Sequence, residues 1–391
     1  MEPKPSSQGP LKILMGSGVP KRREGGVATI IYNLGHELER LGHHLTYVFQ
    51  EDLVEPGSIS PRWNELIFSL RLGRYIAKNR KMFSIVNLHA PTGFPYGLRR
   101  QWHPSAGYPP YVMTLHGLEE RRIHVMSREV KKGRAWNFSL RNRLWHRLYH
   151  QPRFRWSIGT ADGAHTYSRD VWSMLQLKYN LDSDRVAYIP NGVEPRFFIP
   201  REYRDGNTLR LLYAGTWLDQ RGIFYIRDAL RQLAPRFPGL RMTFAGCGVA
   251  PEEIQGFFGP ELAGRIFVRP VVAAEHVQEL YAEHDIFLFP SLMEGLPSVL
   301  LEAMASGMPV ITTETCGMPD VVENEHNGLL ILPADSIAII SSVERLANSV
   351  ELRKKLGEAA RETMKRYTWE RAARQLEELY RRVLAAGAAR A

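Results

Sequence analysis

The sequence predicts an α/β protein of two parallel-sheet domains that face each other across a ligand cleft. Three observations lead there. Short apolar runs alternate with segments of helical spacing along most of the chain, the pattern of a parallel sheet with crossover helices. That rhythm breaks at the polar stretch Ile199 to Asn207, read as a linker, and restarts at Leu209-Arg-Leu-Leu-Tyr-Ala-Gly215. The length, 391 residues, is enough for two domains with separate cores. The expected boundaries are residues 1–198 and 199–368, with an amphipathic last helix, roughly Trp369 to Ala385, free to pack on either domain.

The elements follow in order. Leu11-Lys-Ile-Leu-Met15 reads as a first strand ending at Gly16, followed by a basic, glycine-containing loop, Lys21-Arg-Arg-Glu-Gly-Gly26. Ala28 to Leu41 places Ile31, Leu34, Leu38 and Leu41 on one helical face. Gly42 ends that helix, and His43 to Phe49 supplies a second strand. Further strands are expected at Ile85–His89, Tyr111–His116, Gly163–Ser168 and Val186–Pro190. In the second domain they are expected at Leu209–Gly215, Arg241–Gly246, Arg265–Val268, Asp285–Phe289 and Pro309–Thr313.

Composition narrows the class. With 44% hydrophobic and 24% charged residues and no low-complexity tract, the chain is globular. Two widely separated cysteines, Cys247 and Cys316, give neither a disulfide framework nor metal-ligand spacing. No apolar run approaches the ~20 residues of a membrane span. The polar start, Met1 to Pro10, does not read as a signal peptide. A cytoplasmic protein, peripheral on the inner face of the plasma membrane if it meets lipid, is expected. The net charge of +10 favours an anionic partner.

Chemistry concentrates between Ser291 and Ile311. A strand ends at Pro290, a loop carries Glu294 and Gly295, and Pro297 suits the first turn of a helix running to about Ser306 before Gly307. Unpaired N–H groups at a helix start favour a diphosphate, and Gly295 lets backbone approach it closely. Glu302, in the helix body, is placed to accept two hydrogen bonds from a ribose diol, and Glu294 to grip a sugar hydroxyl. The competing reading is a plain strand–helix unit with two solvated glutamates. The strand–loop–helix context favours the ligand.

This segment closely resembles the Glu-x7-Glu signature of family-four retaining glycosyltransferases, which have the GT-B fold of two Rossmann-like domains. The resemblance runs in family order from about Ile13 to Leu332. Gly25-Gly26 resembles the glycine pair after the first strand, and His116-Gly117 the histidine near the donor sugar. Pro190-Asn-Gly-Val193 resembles the turn closing the first domain. Ala214-Gly215 with Arg221-Gly222 resembles the phosphate-binding start of the second, and Asn327-Gly-Leu-Leu330 a later turn.

The resemblance implies retaining transfer of a hexosyl unit from a UDP- or GDP-linked sugar to a glycan or lipid-linked acceptor, as in cell-surface polysaccharide or glycolipid synthesis. The first domain would hold the acceptor and the second the donor. His116, Glu294 and Arg221 are the catalytic candidates. Gly25, Gly26, Gly215, Arg221, Glu294, Gly295, Leu296, Pro297 and Glu302 are the donor-binding candidates. No cofactor and no metal are expected.

Two positions depart from the family pattern. Arg221 stands where lysine is usual, and its guanidinium can still fork onto phosphate. Thr216-Trp217 follows Gly215 where an arginine is often found, so one phosphate cation is missing; Lys21, Arg22 or Arg23 could supply it. Ser168, Gly246-Cys-Gly248 and Gly317-Met-Pro-Asp320 resemble further family positions. A nucleotide-sugar epimerase of the same fold and a non-catalytic nucleotide-sugar-binding relative are the alternatives.

Residues 121–155 form a basic, aromatic stretch. It holds eleven Lys or Arg, one acidic residue (Glu129) and interleaved Trp136, Phe138, Trp145 and Tyr149. Leu140, Leu144 and Leu148 repeat at helical spacing. An apolar stripe in a basic helix suits an anionic membrane surface, and equally a helix packed on its own domain. No nucleic-acid-binding module accompanies it.

Overall fold

The computed structural model describes residues 9–388 except 22–25, 56, 58–60, 118 and 137. The chain divides into two compact units. The first comprises residues 1–120, 140–191 and 369–391, and the second residues 121–139 and 192–368.

The first unit is a six-stranded parallel sheet. Its strands are β1 (Lys12–Gly16), β2 (His44–Val48), β3 (Ile85–His89), β4 (Tyr111–Leu115), β5 (Gly163–Thr166) and β6 (Val186–Tyr188), in the order β2-β1-β3-β4-β5-β6. The register sets Ile13 beside Ile85 and Val86 beside Tyr111. Every residue of β3, β4 and β5 is buried, which is why these strands read as continuous apolar runs and not as alternating ones. Phe68, Leu72 and Ile76 from the Pro61–Lys78 helix close one face.

The last helix, Trp369–Ala388, belongs to this unit and buries Leu376, Leu379, Tyr380 and Val383. It is also tied by a polar chain. Asn87 Nδ2 on β3 donates to the buried Tyr380 hydroxyl at 2.6 Å, and Asn87 Oδ1 accepts from Thr114 Oγ1 on β4 at 2.7 Å.

The second unit carries β7 (Thr208–Ala214), β8 (Gly239–Ala245), β9 (Ile266–Arg269), β10 (Ile286–Phe289), β11 (Val310–Thr313) and β12 (Leu329–Ile331), in the order β12-β11-β10-β7-β8-β9, all parallel. The three-residue β12 falls where the sequence suggested only a turn. Asn327 fixes that turn, accepting from Glu323 N at 2.8 Å and donating to Val321 O and Thr363 Oγ1, both at 3.1 Å.

Two sequence expectations change. The stretch 199–207 is not a bare linker, because Tyr203 donates to Gly307 O at 2.9 Å and Arg201 to Tyr281 O at 3.0 Å, both within the second unit. The basic stretch 121–155 is not one surface of the first domain. Its first part, Arg121–Ser139, is held in the second unit. Tyr225 OH donates to buried Glu129 at 2.6 Å, Arg134 pairs with Asp228 at 2.7 Å, and Trp136 stacks among Trp217, Phe224 and Phe257. No described helix is long and apolar enough to cross a membrane.

Removing the Tyr380 hydroxyl leaves the buried Asn87 amide without its acceptor. Tyr380→Phe is therefore expected to lower stability by about 1–3 kcal/mol, the cost of an unmade buried hydrogen bond. Urea denaturation checks it, and an unchanged midpoint would show that the bond contributes nothing net.

Candidate functional site

In an open parallel sheet, ligands bind beyond the carboxyl ends of the strands, where the chain reverses its order. In the second unit that reversal lies between neighbours β7 and β10. Gly215 follows β7, and the loop with Glu294 follows β10. The topology thus brings the predicted residues of this unit to one sheet edge.

Two loops are pinned together there. Leu292 N donates to Gln220 O at 2.9 Å. Gly222 has φ +77°, and a Cβ on it would lie 2.1 Å from Pro290 O, so only glycine allows this approach. Thr313 Oγ1 holds Ser291 O at 2.6 Å from the neighbouring strand.

The result is an ion pair between Arg221 and Glu294, with Ser291 Oγ also donating to Glu294 at 3.1 Å. The Arg221 guanidinium lies over the Phe289 ring, 5.5 Å from its centroid. Burial pushes the Arg221 pKa down, yet its Nε is enclosed with no hydrogen-bond partner among the described residues. A buried guanidinium N–H without an acceptor is costly unless an anion arrives.

Beyond Glu294, Gly295 O accepts from Gly317 N at 2.9 Å, and a Cβ at Gly317 would lie 2.3 Å from that oxygen. The Gly317-Met-Pro-Asp320 motif therefore acts by clamping the Gly295 loop. Leu296 and Pro297 are buried. The following helix is Ser298–Ala305, with Pro297 as its N-cap and Ser306 as its C-cap, one residue inside the expected range at each end. No side chain caps its first turn, which leaves N–H groups open to solvent or ligand.

Glu302 points from this helix to the Tyr281 hydroxyl, 2.8 Å away. Burial pushes its carboxyl up to about 7, with Tyr281 pulling the other way and Glu194 adding to the rise. Among the described residues Glu302 thus has a neutral donor and no ion-pair partner, unlike Glu294. Tyr281 was not foreseen; nothing in the sequence links it to Glu302.

The missing arginine is accounted for structurally. Trp217 is buried among Phe244, Phe257 and Phe258, and Thr216 is exposed, its carbonyl accepting from Tyr213 OH at 3.0 Å. Gly215 takes φ +142° and donates to Ala245 O at 2.9 Å. Gly246 and Gly248 adopt φ +67° and +72° in the turn after β8.

In the first unit the order reverses between β1 and β3. Arg22, Arg23 and Gly25, in the loop after β1, lie outside the described residues. Gly26 opens the Gly26–Arg40 helix at φ +72°. Lys21 pairs with Asp52 at 3.1 Å and so is not a free cation.

His116 follows β4 and meets an unforeseen partner. Its Nε2 lies 2.7 Å from Nδ1 of His89, the last residue of β3, with the rings stacked 5.0 Å apart. Tyr167 also stacks on His116 at 5.0 Å, and His165 meets Tyr167 edge-on. Burial pushes His116 down to about 3, His165 down to about 4, and His89 well below its ordinary value. All three are neutral near pH 7. One proton lies between His89 and His116, so the tautomer of one ring dictates that of the other. The signal available in the sequence was two adjacent strands each running into a histidine. Ser168 has a structural role: its hydroxyl accepts from Val171 N at 3.2 Å and caps the Arg169–Tyr179 helix. Among the described residues no group of three or more His, Cys, Asp or Glu is arranged to hold a metal ion.

Comparison with known proteins agrees with this architecture. Residues 24–197 match the family model Glycosyltransferase Family 4, and residues 196–363 match Glycosyl transferases group 1. An uncharacterised glycosyltransferase of Methanocaldococcus jannaschii is 24% identical over 315 residues, covering 81% of this chain and 80% of the relative. The amylovoran biosynthesis glycosyltransferase of Erwinia amylovora is 26% identical, covering 75% of this chain and 70% of the relative. Among solved structures, sucrose-phosphate synthase from Thermosynechococcus elongatus superposes with a TM-score of 0.77 at 20% identity, covering 96% of this chain and all of the other. The two consecutive family matches, with parallel sheets ordered as described, establish that the chain is a glycosyltransferase of the family-four type with the GT-B fold.

Proposed function

We propose that the protein transfers a hexosyl unit from a UDP- or GDP-linked sugar, with retention, to a glycan or lipid-linked acceptor in polysaccharide or glycolipid synthesis. The observation that carries the donor assignment is the buried Arg221, whose Nε has no partner among the described residues, in the unit whose Ser298–Ala305 helix starts without a side-chain cap. In this reading the diphosphate takes that acceptor role. Arg221 and the helix N–H groups then stabilise the charge that develops as the nucleoside diphosphate departs, and no bound metal is needed.

Glu294 releases part of its hold on Arg221 and accepts from a hydroxyl of the sugar. Glu302 accepts from the ribose diol. Gly215, Gly295 and Gly26 let backbone approach the ligands closely. His116, kept neutral by burial and coupled in tautomer to His89, orients the acceptor hydroxyl in the first unit. The amylovoran relative supports a polysaccharide product. Where the acceptor is lipid-linked, the protein works on the cytoplasmic face of the membrane. An epimerase would turn over donor alone, so the requirement for an acceptor separates the two activities.

Arg221→Ala is expected to lower kcat by about 10²–10³-fold, the typical loss of one donor to a developing anion, with Arg221→Lys intermediate. Steady-state transfer to a panel of acceptors checks this, and unchanged turnover in Arg221→Ala would remove the diphosphate from this site. Donor affinity is expected to be pH-dependent. The ribose diol donates to the Glu302 carboxylate, so the proton that Glu302 takes up as pH falls through about 7 opposes binding. Affinity should be greatest above pH 7 and fall below it by no more than about tenfold per pH unit, the slope of one proton. Calorimetric titrations across pH would show this, and Glu302→Gln should bind more weakly with a flat profile.

A further inference from the structure

The helical run from Leu140 to Thr160 in the first unit carries an outward, largely exposed apolar stripe. Leu140, Leu144, Leu148 and Trp156 are 65%, 50%, 71% and 53% exposed. Pro152, also exposed, completes the row at spacing i, i+4. An α-helix turns 100° per residue, so such a row should wind away by about 40° at each step.

Here the backbone counteracts the drift. Residues His146–His150 form a π-turn in which Gln151 N donates to His146 O, five residues back. The wider turn rotates the row the opposite way. Pro152, which has no N–H, removes a competing α-helical bond just beyond it.

The opposite face is already anchored. Trp145 meets Trp63 edge-on at 5.2 Å and stacks on Tyr149 at 4.2 Å. Arg153 lies against the Tyr149 and Phe94 rings at 4.6 and 5.1 Å and pairs with Glu65 at 3.2 Å. The leucines are therefore not needed to hold the helix in place.

Charge identifies what covers them. From Leu140 to Thr160 there are five arginines and no acidic residue. Arg141, Arg147 and Arg155 are exposed beside the stripe; Arg155 is bound to Glu120 at 3.0 Å, whereas Arg141 and Arg147 have no ion-pair partner among the described residues. Within the other half of the basic stretch, Arg121–Ser139, the cations Lys132 and Arg134 and the ring of Trp136 are instead engaged within the second unit.

We infer that the Leu140–Leu144–Leu148–Trp156 ridge inserts into the interface of an anionic phospholipid bilayer, with Arg141 and Arg147 on the headgroups. Amphipathic helices with cations flanking an apolar face bind such surfaces. The inference deepens the lipid-linked-acceptor reading and rests on it for its purpose, but the surface is tested without any sugar.

Flotation of the full chain with phosphatidylcholine vesicles containing or lacking phosphatidylglycerol provides the test. Binding is expected only with phosphatidylglycerol, and should weaken in high salt. Leu144→Ser with Leu148→Ser should weaken it by on the order of tenfold or more, from the lost apolar burial. Arg141→Gln with Arg147→Gln should weaken it in low salt. Each variant should bind nucleoside diphosphate as the unaltered chain does, which separates a failed surface from a failed donor site. Three outcomes would overturn the inference: equal binding to neutral vesicles, undiminished binding by the leucine variant, or a dimer that the leucine variant splits, which would assign the stripe to a second copy of the chain.

Discussion

A parallel sheet leaves its strands' carboxyl ends without further partners, and the rest of the molecule is arranged around that constraint. In each unit the chain winds outward in both directions from a central pair of strands, β1 and β3 or β7 and β10. The loops leaving such a pair diverge to opposite faces, and the gap between them cannot be filled by the sheet itself. In the second unit, close backbone contacts at Gly222–Pro290 and Gly317–Gly295 hold the two loops in position. Arg221 and Glu294 meet only because those contacts permit it.

The electrostatics of the two glutamates then diverge. Glu294 sits against a cation and a hydroxyl, and Glu302 against a single phenol. The first carboxylate is paired with a cation, and the second is raised toward neutrality by burial. The histidines of the first unit follow the same logic. Desolvation removes their charge, and the 2.7 Å contact between His89 and His116 turns two flexible tautomer choices into one. Burial thus shifts the protonation equilibria of Glu302 in the second unit and of His89, His116 and His165 in the first.

Much of this was legible in the sequence, for identifiable reasons. Buried parallel strands are continuous apolar runs, so eleven of the twelve strands announced themselves, and β12 escaped because three residues carry no period. The residues around Arg221, Glu294 and Glu302 were legible because a strand–loop–helix junction constrains both spacing and residue type. What stayed hidden depends on contacts distant in sequence. Tyr281 reaches Glu302 from 21 residues away, and Tyr225 reaches Glu129 from 96 away. The basic stretch misled for the same reason: its local pattern is uniform, and only Tyr225, Asp228 and Trp217 reveal that one half is already engaged.

The placement of Arg121–Ser139 has a consequence for biosynthesis. The chain crosses between its units four times, at 120/121, 139/140, 191/192 and 368/369. Neither unit is a contiguous piece of polypeptide. A ribosome releasing the first 191 residues has delivered neither the helix bearing Tyr380 nor the aromatic shelf on which Trp136 settles. Completion of the first unit must wait for the Trp369–Ala388 helix, and a fragment that begins at residue 192 would present Trp217, Phe224 and Phe257 without the cover of Trp136.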